Sequence, residues 1–209
     1  RRGPLSLSIN QGGGFIKTSP ELKQPDIQLY FSPVSYTKAP AGTRPLMNPD
    51  PFSAFLIGLT NCRPTSRGFI NIQSKDPLHP PKIKPNYLST DEDVKTLLAG
   101  VKYLRQLAQT PALKEIIIDE MRPGMSCQTD EQLIDDIRGY AWTCFHPSST
   151  CRMGPDPKDN VVNHELKVHG IQQLRVADAS IFPFVVSGNT NAAAIMVGEK
   201  AADMILAET

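Results

Sequence analysis

Phe145-His-Pro-Ser-Ser-Thr-Cys-Arg-Met-Gly154 is the stretch on which the fold turns, taken with Leu174-Arg-Val-Ala-Asp-Ala-Ser180 and Val186-Ser-Gly-Asn-Thr-Asn-Ala192. The first holds one imidazole in a turn of small residues. The second is an apolar strand-like run that ends in a carboxylate. The third puts Asn189 ahead of Thr190, Asn191 and three alanines, where a helix can begin. That last helix is expected from about Thr190 to Leu206, with small residues on its first turns.

Upstream, Leu5-Ser-Leu-Ser-Ile9, Gly14-Phe-Ile16, Ile27-Gln-Leu-Tyr-Phe31 and Phe55-Leu-Ile-Gly-Leu59 are short runs broken by Gly and Pro. The alternation in the first and third suits a half-buried antiparallel sheet, because successive side chains point to opposite faces. Arg67-Gly-Phe-Ile-Asn-Ile-Gln73 reads as a further strand. Pro77, Pro80, Pro81 and Pro85 then argue against regular structure from 77 to 85. Ser89-Thr-Asp-Glu92 reads as a capping box, followed by Val94, Leu97, Leu98, Val101, Leu104 and Leu107 at helical spacing. Thr129-Asp-Glu-Gln132 repeats that signal ahead of Leu133, Ile134 and Ile137, in a helix ending near Gly139. Leu166-Lys-Val168 and Leu174-Arg-Val-Ala177 read as two strands joined across His169-Gly170. The expected class is α+β.

The 209 residues, 40% hydrophobic and 21% charged, suit a globular chain with one large or two small cores. Lysine and arginine number 22 against 21 acids, a formal charge of +1, and they are scattered, so there is no nucleic-acid or anionic-membrane footprint. No apolar run approaches the roughly 20 residues of a transmembrane helix. Cys62, Cys127, Cys144 and Cys151 form no CxxC pair and no disulfide framework, which points to a reducing, cytoplasmic setting. The opening Arg-Arg-Gly-Pro carries neither Met nor a signal region, so residue 1 reads as an internal position of a longer chain or as an end made by a cut.

A histidine facing a pocket can act as a general base near neutrality, since its ordinary pKa is about 6.5. Alone, His146 reads more readily as a hydrogen-bonded structural residue. His79, His164 and His169 sit in proline-rich or turn contexts and read as exposed loop residues. By itself the sequence favours Asn189 or Thr190 as a simple N-cap. The helix start could also attract negative charge through its unpaired N–H groups and its dipole, with Ala192 to Ala194 letting a flat ring approach. Asp178-Ala179-Ser180 reads either as a strand-to-loop turn or as a place where backbone amides meet a pyrophosphate. Met125, Met153 and Met196 read as core filler. No His/Cys/carboxylate group has metal-ligand spacing, so no metal site is expected.

His146-Pro-Ser-Ser-Thr-Cys-Arg-Met-Gly154, Leu166-Lys-Val-His-Gly-Ile171, Leu174 to Ser180, Ser187-Gly-Asn-Thr-Asn-Ala192 and Glu199-Lys-Ala-Ala-Asp-Met-Ile205 together resemble the carboxy-terminal signature of the glucose-methanol-choline (GMC) oxidoreductases, in the choline-dehydrogenase-like, primary-alcohol branch. Gly3-Pro-Leu5, Gly14-Phe-Ile16 and Ser66-Arg-Gly68 resemble the same family's substrate domain more weakly. The resemblance implies FAD as cofactor and His146 as the base that takes the hydroxyl proton while the substrate carbon passes hydride to the flavin. Asn189 would bind the alcohol oxygen. Phe145 would lie beside the flavin, Asp178 and Ala179 along its ribityl-diphosphate, and Asn189, Thr190 and Asn191 at its pyrimidine edge. Ser149 stands where many members have Gly, and Asn163 where Asp is frequent.

The implied fold is an antiparallel-sheet substrate-binding portion over 1-140, followed over 141-209 by the catalytic loop and the closing strands and helix of an FAD-binding α/β domain. The Gly-x-Gly-x-x-Gly loop that would hold the ADP moiety is not supplied by Gly12-Gly-Gly14. An amino-terminal FAD-binding chain or segment of the same enzyme is therefore the expected partner, beside a small alcohol substrate. A different class of function, a non-catalytic binding or regulatory fragment that keeps the substrate-domain fold without cofactor, is opposed by the joint presence of His146 and Asn189.

Overall fold

A computed structural model describes residues 8, 10–36 and 50–208 of the chain. The expected strand at Leu5–Ile9 and the Gly3-Pro-Leu5 motif lie, apart from Ser8, outside the described residues. The described residues pack as two compact units: those within Arg1–Asn61 and Leu88–Cys144 form one, and Cys62–Tyr87 with Phe145–Thr209 the other.

The first unit is a three-stranded antiparallel sheet with helices. Strands β1 (Gly12–Ile16), β2 (Ile27–Ser32) and β3 (Leu56–Asn61) lie in that order, with Gly14 opposite Leu29 and Leu29 opposite Leu59. Gly13 must be glycine, because a Cβ there would stand 2.2 Å from the Leu29 carbonyl oxygen. Helix α1 (Asp91–Ala108) packs on the sheet at Gly100, where a Cβ would lie 3.4 Å from Ile27 and Leu59 side chains. Its N-cap is Thr90, not Ser89: the Thr90 hydroxyl accepts from the Asp93 amide, one residue later than the Ser89 box predicts. A short helix α2 (Pro111–Lys114) leads on to α3 (Asp130–Tyr140), which opens with the expected Thr129/Gln132 capping box. Leu98, Leu133 and Ile137 form the core between α1 and α3, and burying a leucine such as Leu133 (2% exposed) stabilises by about 1.5–3 kcal/mol.

The second unit holds the antiparallel hairpin β4 (Phe69–Asn71) and β5 (Lys82–Lys84) and the helix α4 (Asn191–Leu206). Strand β5 contradicts the expectation that 77 to 85 is irregular. It fits because Pro81 and Pro85 flank Lys82-Ile-Lys84 without occupying a ladder position. Gly68 lets the hairpin close, since a Cβ there would fall 2.1 Å from the Lys84 carbonyl oxygen. The expected strands at 166–168 and 174–177 pair only through an isolated antiparallel bridge, Lys167 to Arg175, with Val168 N–H donating to Leu174 and Val176 N–H to Leu166. The core of this unit is Val162, Leu166, Ile181, Val197 and Ala201. Met153 packs on it as expected, whereas Met125 (59%) and Met196 (51%) are exposed rather than core filler. Met196 lies next to the buried Val197 on α4, one residue and so about 100° round the helix from the core-facing stripe. No described helix is long and apolar enough to cross a membrane.

Candidate active site

The His146 loop is fixed through its main chain. Cys151 N–H donates to the Ser180 carbonyl at 3.0 Å, Met153 N–H to the Ile181 carbonyl at 2.7 Å and Gly154 N–H to the Val162 carbonyl at 3.0 Å. Ser180 and Ile181 belong to a 3₁₀ turn (Ala179–Ile181) capped by Asp178, whose carboxylate accepts from the Ser180 amide at 2.7 Å. That Ser180 bonding holds the Asp178 carboxyl below its ordinary pKa. Ile181 in turn is buried against α4 residues Val197 and Ala201. Two left-handed residues, Phe145 (φ 59°) and Ser149 (φ 75°), bend the chain on either side of His146.

His146 is half-buried and both its ring nitrogens face the start of α4. Asn189 Nδ2 lies 2.6 Å from Nε2. On the other side of the ring, Thr190 Oγ1 lies 2.9 Å from Nδ1 and the Thr190 backbone nitrogen 3.3 Å from it. Thr190 is the N-cap of α4, yet its hydroxyl makes no cap hydrogen bond. The first N–H groups of the helix, which have no intrahelical acceptor, are therefore left without a threonine cap.

The structure thus brings together three of the sequence-predicted site residues: His146, Asn189 and Thr190. Phe145 is adjacent and 64% exposed, and Asn191 is the exposed first residue of α4. Asp178 and Ala179 do not join the imidazole; Asp178 is spent on its own turn. His169 departs from the expectation of an exposed loop residue: it is half-buried, and its Nε2 bonds the Gly154 carbonyl at 3.0 Å, tying down the end of the His146 loop. No sequence signal separates His169 from His164, which is exposed, because the distinction depends on a carbonyl 15 residues away. Asn163 accepts from the Glu165 and Lys167 amides at 2.9 and 3.0 Å, work that an Asp side chain would do equally well. The four cysteines are free, and the described residues hold no cluster able to bind a metal.

The family model for GMC oxidoreductases, carboxy-terminal part, matches residues 64–198. The chain belongs to the GMC oxidoreductase family. It is 40% identical over 206 residues to the alcohol dehydrogenase [acceptor] of Pseudomonas putida, covering 99% of this chain and 36% of that protein. It is 42% identical over 195 residues to the oxygen-dependent choline dehydrogenase of Pseudomonas fluorescens, covering 93% and 33%. Among solved structures, pyridoxine 4-oxidase from Mesorbium loti superposes with a TM-score of 0.81 at 27% identity, over 93% of this chain and 37% of that one. Formate oxidase of Aspergillus oryzae, described with its FAD modification, gives 0.77 at 30% identity, over 90% and 32%. The chain spans about a third of the length of the curated relatives it matches. The family and its solved neighbours indicate FAD as the cofactor.

The residues present suit that cofactor. A helix start with its first amides uncapped by Thr190, the exposed Asn191 and Ala192, and the exposed Phe145 ring offer donors and flat contact to the polar edge of an isoalloxazine.

Proposed function

We propose that this chain carries the base and the oxygen-binding side chain of an FAD-dependent oxidation of a primary alcohol to an aldehyde. The observation that carries the reading is the 2.6 Å approach of Asn189 Nδ2 to His146 Nε2, with the opposite ring nitrogen held by Thr190. A donor and an acceptor that close together can share one hydroxyl group. The alcohol O–H donates to Nε2 while its oxygen accepts from Asn189 Nδ2, replacing the direct contact between the two side chains. Asn189 then holds the oxygen as negative charge grows on it, and Nε2 takes the proton. FAD supplies the acceptor for the hydride that leaves the carbinol carbon. Asn189, Thr190 and Asn191 at the start of α4 would hold its pyrimidine edge, Phe145 would flank the ring, and Asp178 and Ala179 would lie along the ribityl-diphosphate through the backbone of their turn.

On this reading the residues of 1-140 contribute the substrate-binding portion and those of 141-209 the catalytic loop and the closing elements of the FAD-binding domain. The test is anaerobic flavin reduction by a benzylic alcohol in FAD-loaded protein. His146→Ala is expected to slow reduction by about 10² to 10⁴ with FAD retained. Asn189→Ala is expected to cost about 2–4 kcal/mol of transition-state stabilisation, the range for losing one oxyanion donor. Unchanged reduction in His146→Ala overturns the proposal. Loss of FAD with an unchanged rate in whatever flavin remains makes Asn189 a structural residue.

A further inference from the structure

We infer that Thr190 is a positioning residue whose hydroxyl sets the tautomer of His146, an inference that rests on the reading of His146 as base. A neutral imidazole carries one N–H, so one ring nitrogen donates and the other accepts. Nδ1 faces two groups of Thr190, the hydroxyl oxygen at 2.9 Å and the backbone nitrogen at 3.3 Å. The backbone N–H suits only one tautomer, whereas the hydroxyl, which can donate or accept, serves either. The backbone N–H can only donate, so by itself it would draw a lone pair to Nδ1 and leave the proton on Nε2, where no substrate proton could then be accepted. Asn189 Nδ2, a donor 2.6 Å from Nε2, needs a lone pair there, and the Thr190 hydroxyl is the group beside Nδ1 that can then accept a hydrogen bond from Nδ1–H. The lone pair is thereby left on Nε2, facing Asn189.

Two facts set this apart from ordinary packing. Thr190 immediately precedes a 16-residue helix with φ −80° and ψ −13°, already helical, and its side chain makes no cap hydrogen bond. Its hydroxyl lies instead 2.9 Å from the imidazole Nδ1. Asn189 fits the same assignment, because its Nδ2 at 2.6 Å is a donor and requires an accepting Nε2. Wrong-tautomer effects are severe in catalytic histidines, since the ring is present and in place but has no lone pair where the proton must go.

The test uses FAD-loaded protein with ¹⁵N-labelled histidine, recorded at about pH 9, above the ordinary imidazole titration range. Long-range ¹H–¹⁵N correlations give the tautomer, and the His146 signals are assigned by their loss in His146→Gln. The parent is expected to carry Nδ1–H. Thr190→Val removes the acceptor, keeps the shape and leaves the backbone N–H. Its proton is expected to move to Nε2, and anaerobic flavin reduction by a benzylic alcohol to fall by about 10²-fold or more at unchanged FAD content. Thr190→Ser restores the hydroxyl and is expected to keep the parental tautomer and rate. An Nε2–H parent, or a parental tautomer in Thr190→Val, overturns the inference. A switched tautomer with an undiminished rate, where His146→Ala is slow, also overturns it. A switched tautomer where His146→Ala remains fast leaves tautomer control standing and sinks the base instead. The ring signals report on Thr190 even in a variant that retains less flavin.

Discussion

At the scale of single residues, Ser149 shows how a family preference becomes a conformational statement. Its φ of 75° lies in the left-handed region, which costs a residue with a Cβ about 1–2 kcal/mol and glycine almost nothing. Glycine is what the resemblance leads one to expect at this position. Ser149→Gly should therefore leave the melting temperature unchanged or raise it, worth up to about 1 kcal/mol once the extra freedom of glycine in the unfolded chain is set against the relieved strain. Ser149→Val should lower it, because a β-branched residue tolerates this region poorly. Destabilisation by Ser149→Gly would show that the 3.2 Å contact of its hydroxyl with Ser148 outweighs the strain. The choice of His146 and Asn189 as candidate site residues is legible in the sequence because each sits in a run of fixed order and type, and the structure brings the two side chains to 2.6 Å. The commitment of Thr190 to His146 is not. An N-cap threonine looks the same in sequence whichever acceptor or donor its hydroxyl meets, and here the choice is made by a ring 44 positions away.

At the scale of elements, the end of α4 is tied to the 166–176 segment by charge. Glu208 lies 2.6 Å from both Arg175 and Lys167. Hydrogen bonds from Arg175 and then Lys167 pull its pKa down to about 2, and Glu208 in return raises that of Lys167. A carboxyl whose folded pKa is depressed adds stability above its ordinary titration range, and that stability is lost as pH falls toward the folded value. The advantage of the parent over Glu208→Gln in thermal melts should be full near neutrality, shrink from about pH 5 downward and vanish near pH 2, and it should also weaken in about 1 M salt. A difference independent of pH would assign the effect to packing. Elements with strong local signals, the Thr129 box and the apolar stripes of α1 and α3, were readable in advance. Strand β5 was not, since three residues between prolines carry no periodic signal and take strand form by pairing with Phe69–Asn71, beside which Gly68 comes close to Lys84. Nor was the placement of the first cap at Thr90, because Ser89 and Thr90 are equally good cap chemistry and tertiary packing of α1 decides between them.

At the scale of the whole molecule, Gly12-Gly-Gly14 lies in strand β1, with Gly13 pressed against Leu29, rather than at the start of a helix where a pyrophosphate would sit. The proposed flavin-edge donors lie at the start of α4, and no dinucleotide loop stands among the described residues. Residues 1–209 expressed by themselves should therefore retain well under one FAD per chain, and co-expression with a polypeptide bearing a Gly-x-Gly-x-x-Gly loop should yield yellow protein with absorbance near 450 nm. Stoichiometric FAD on the 209-residue chain would refute this. The antiparallel sheet with helices was foreseeable from strand alternation and caps, but the grouping of residues 62–87 with those after 145 was not, because it depends on contacts such as Arg63 Nη1 to Ser187 Oγ at 3.3 Å between segments far apart in sequence. Finally, the His146 loop is held by the amides of Cys151, Met153 and Gly154 rather than by the side chain of Thr150, which is exposed. For directed evolution this separates two variables that active sites usually entangle: Thr150 can be randomised to alter the exposed surface of the His146 loop while the main-chain bonds that hold the loop stay in place.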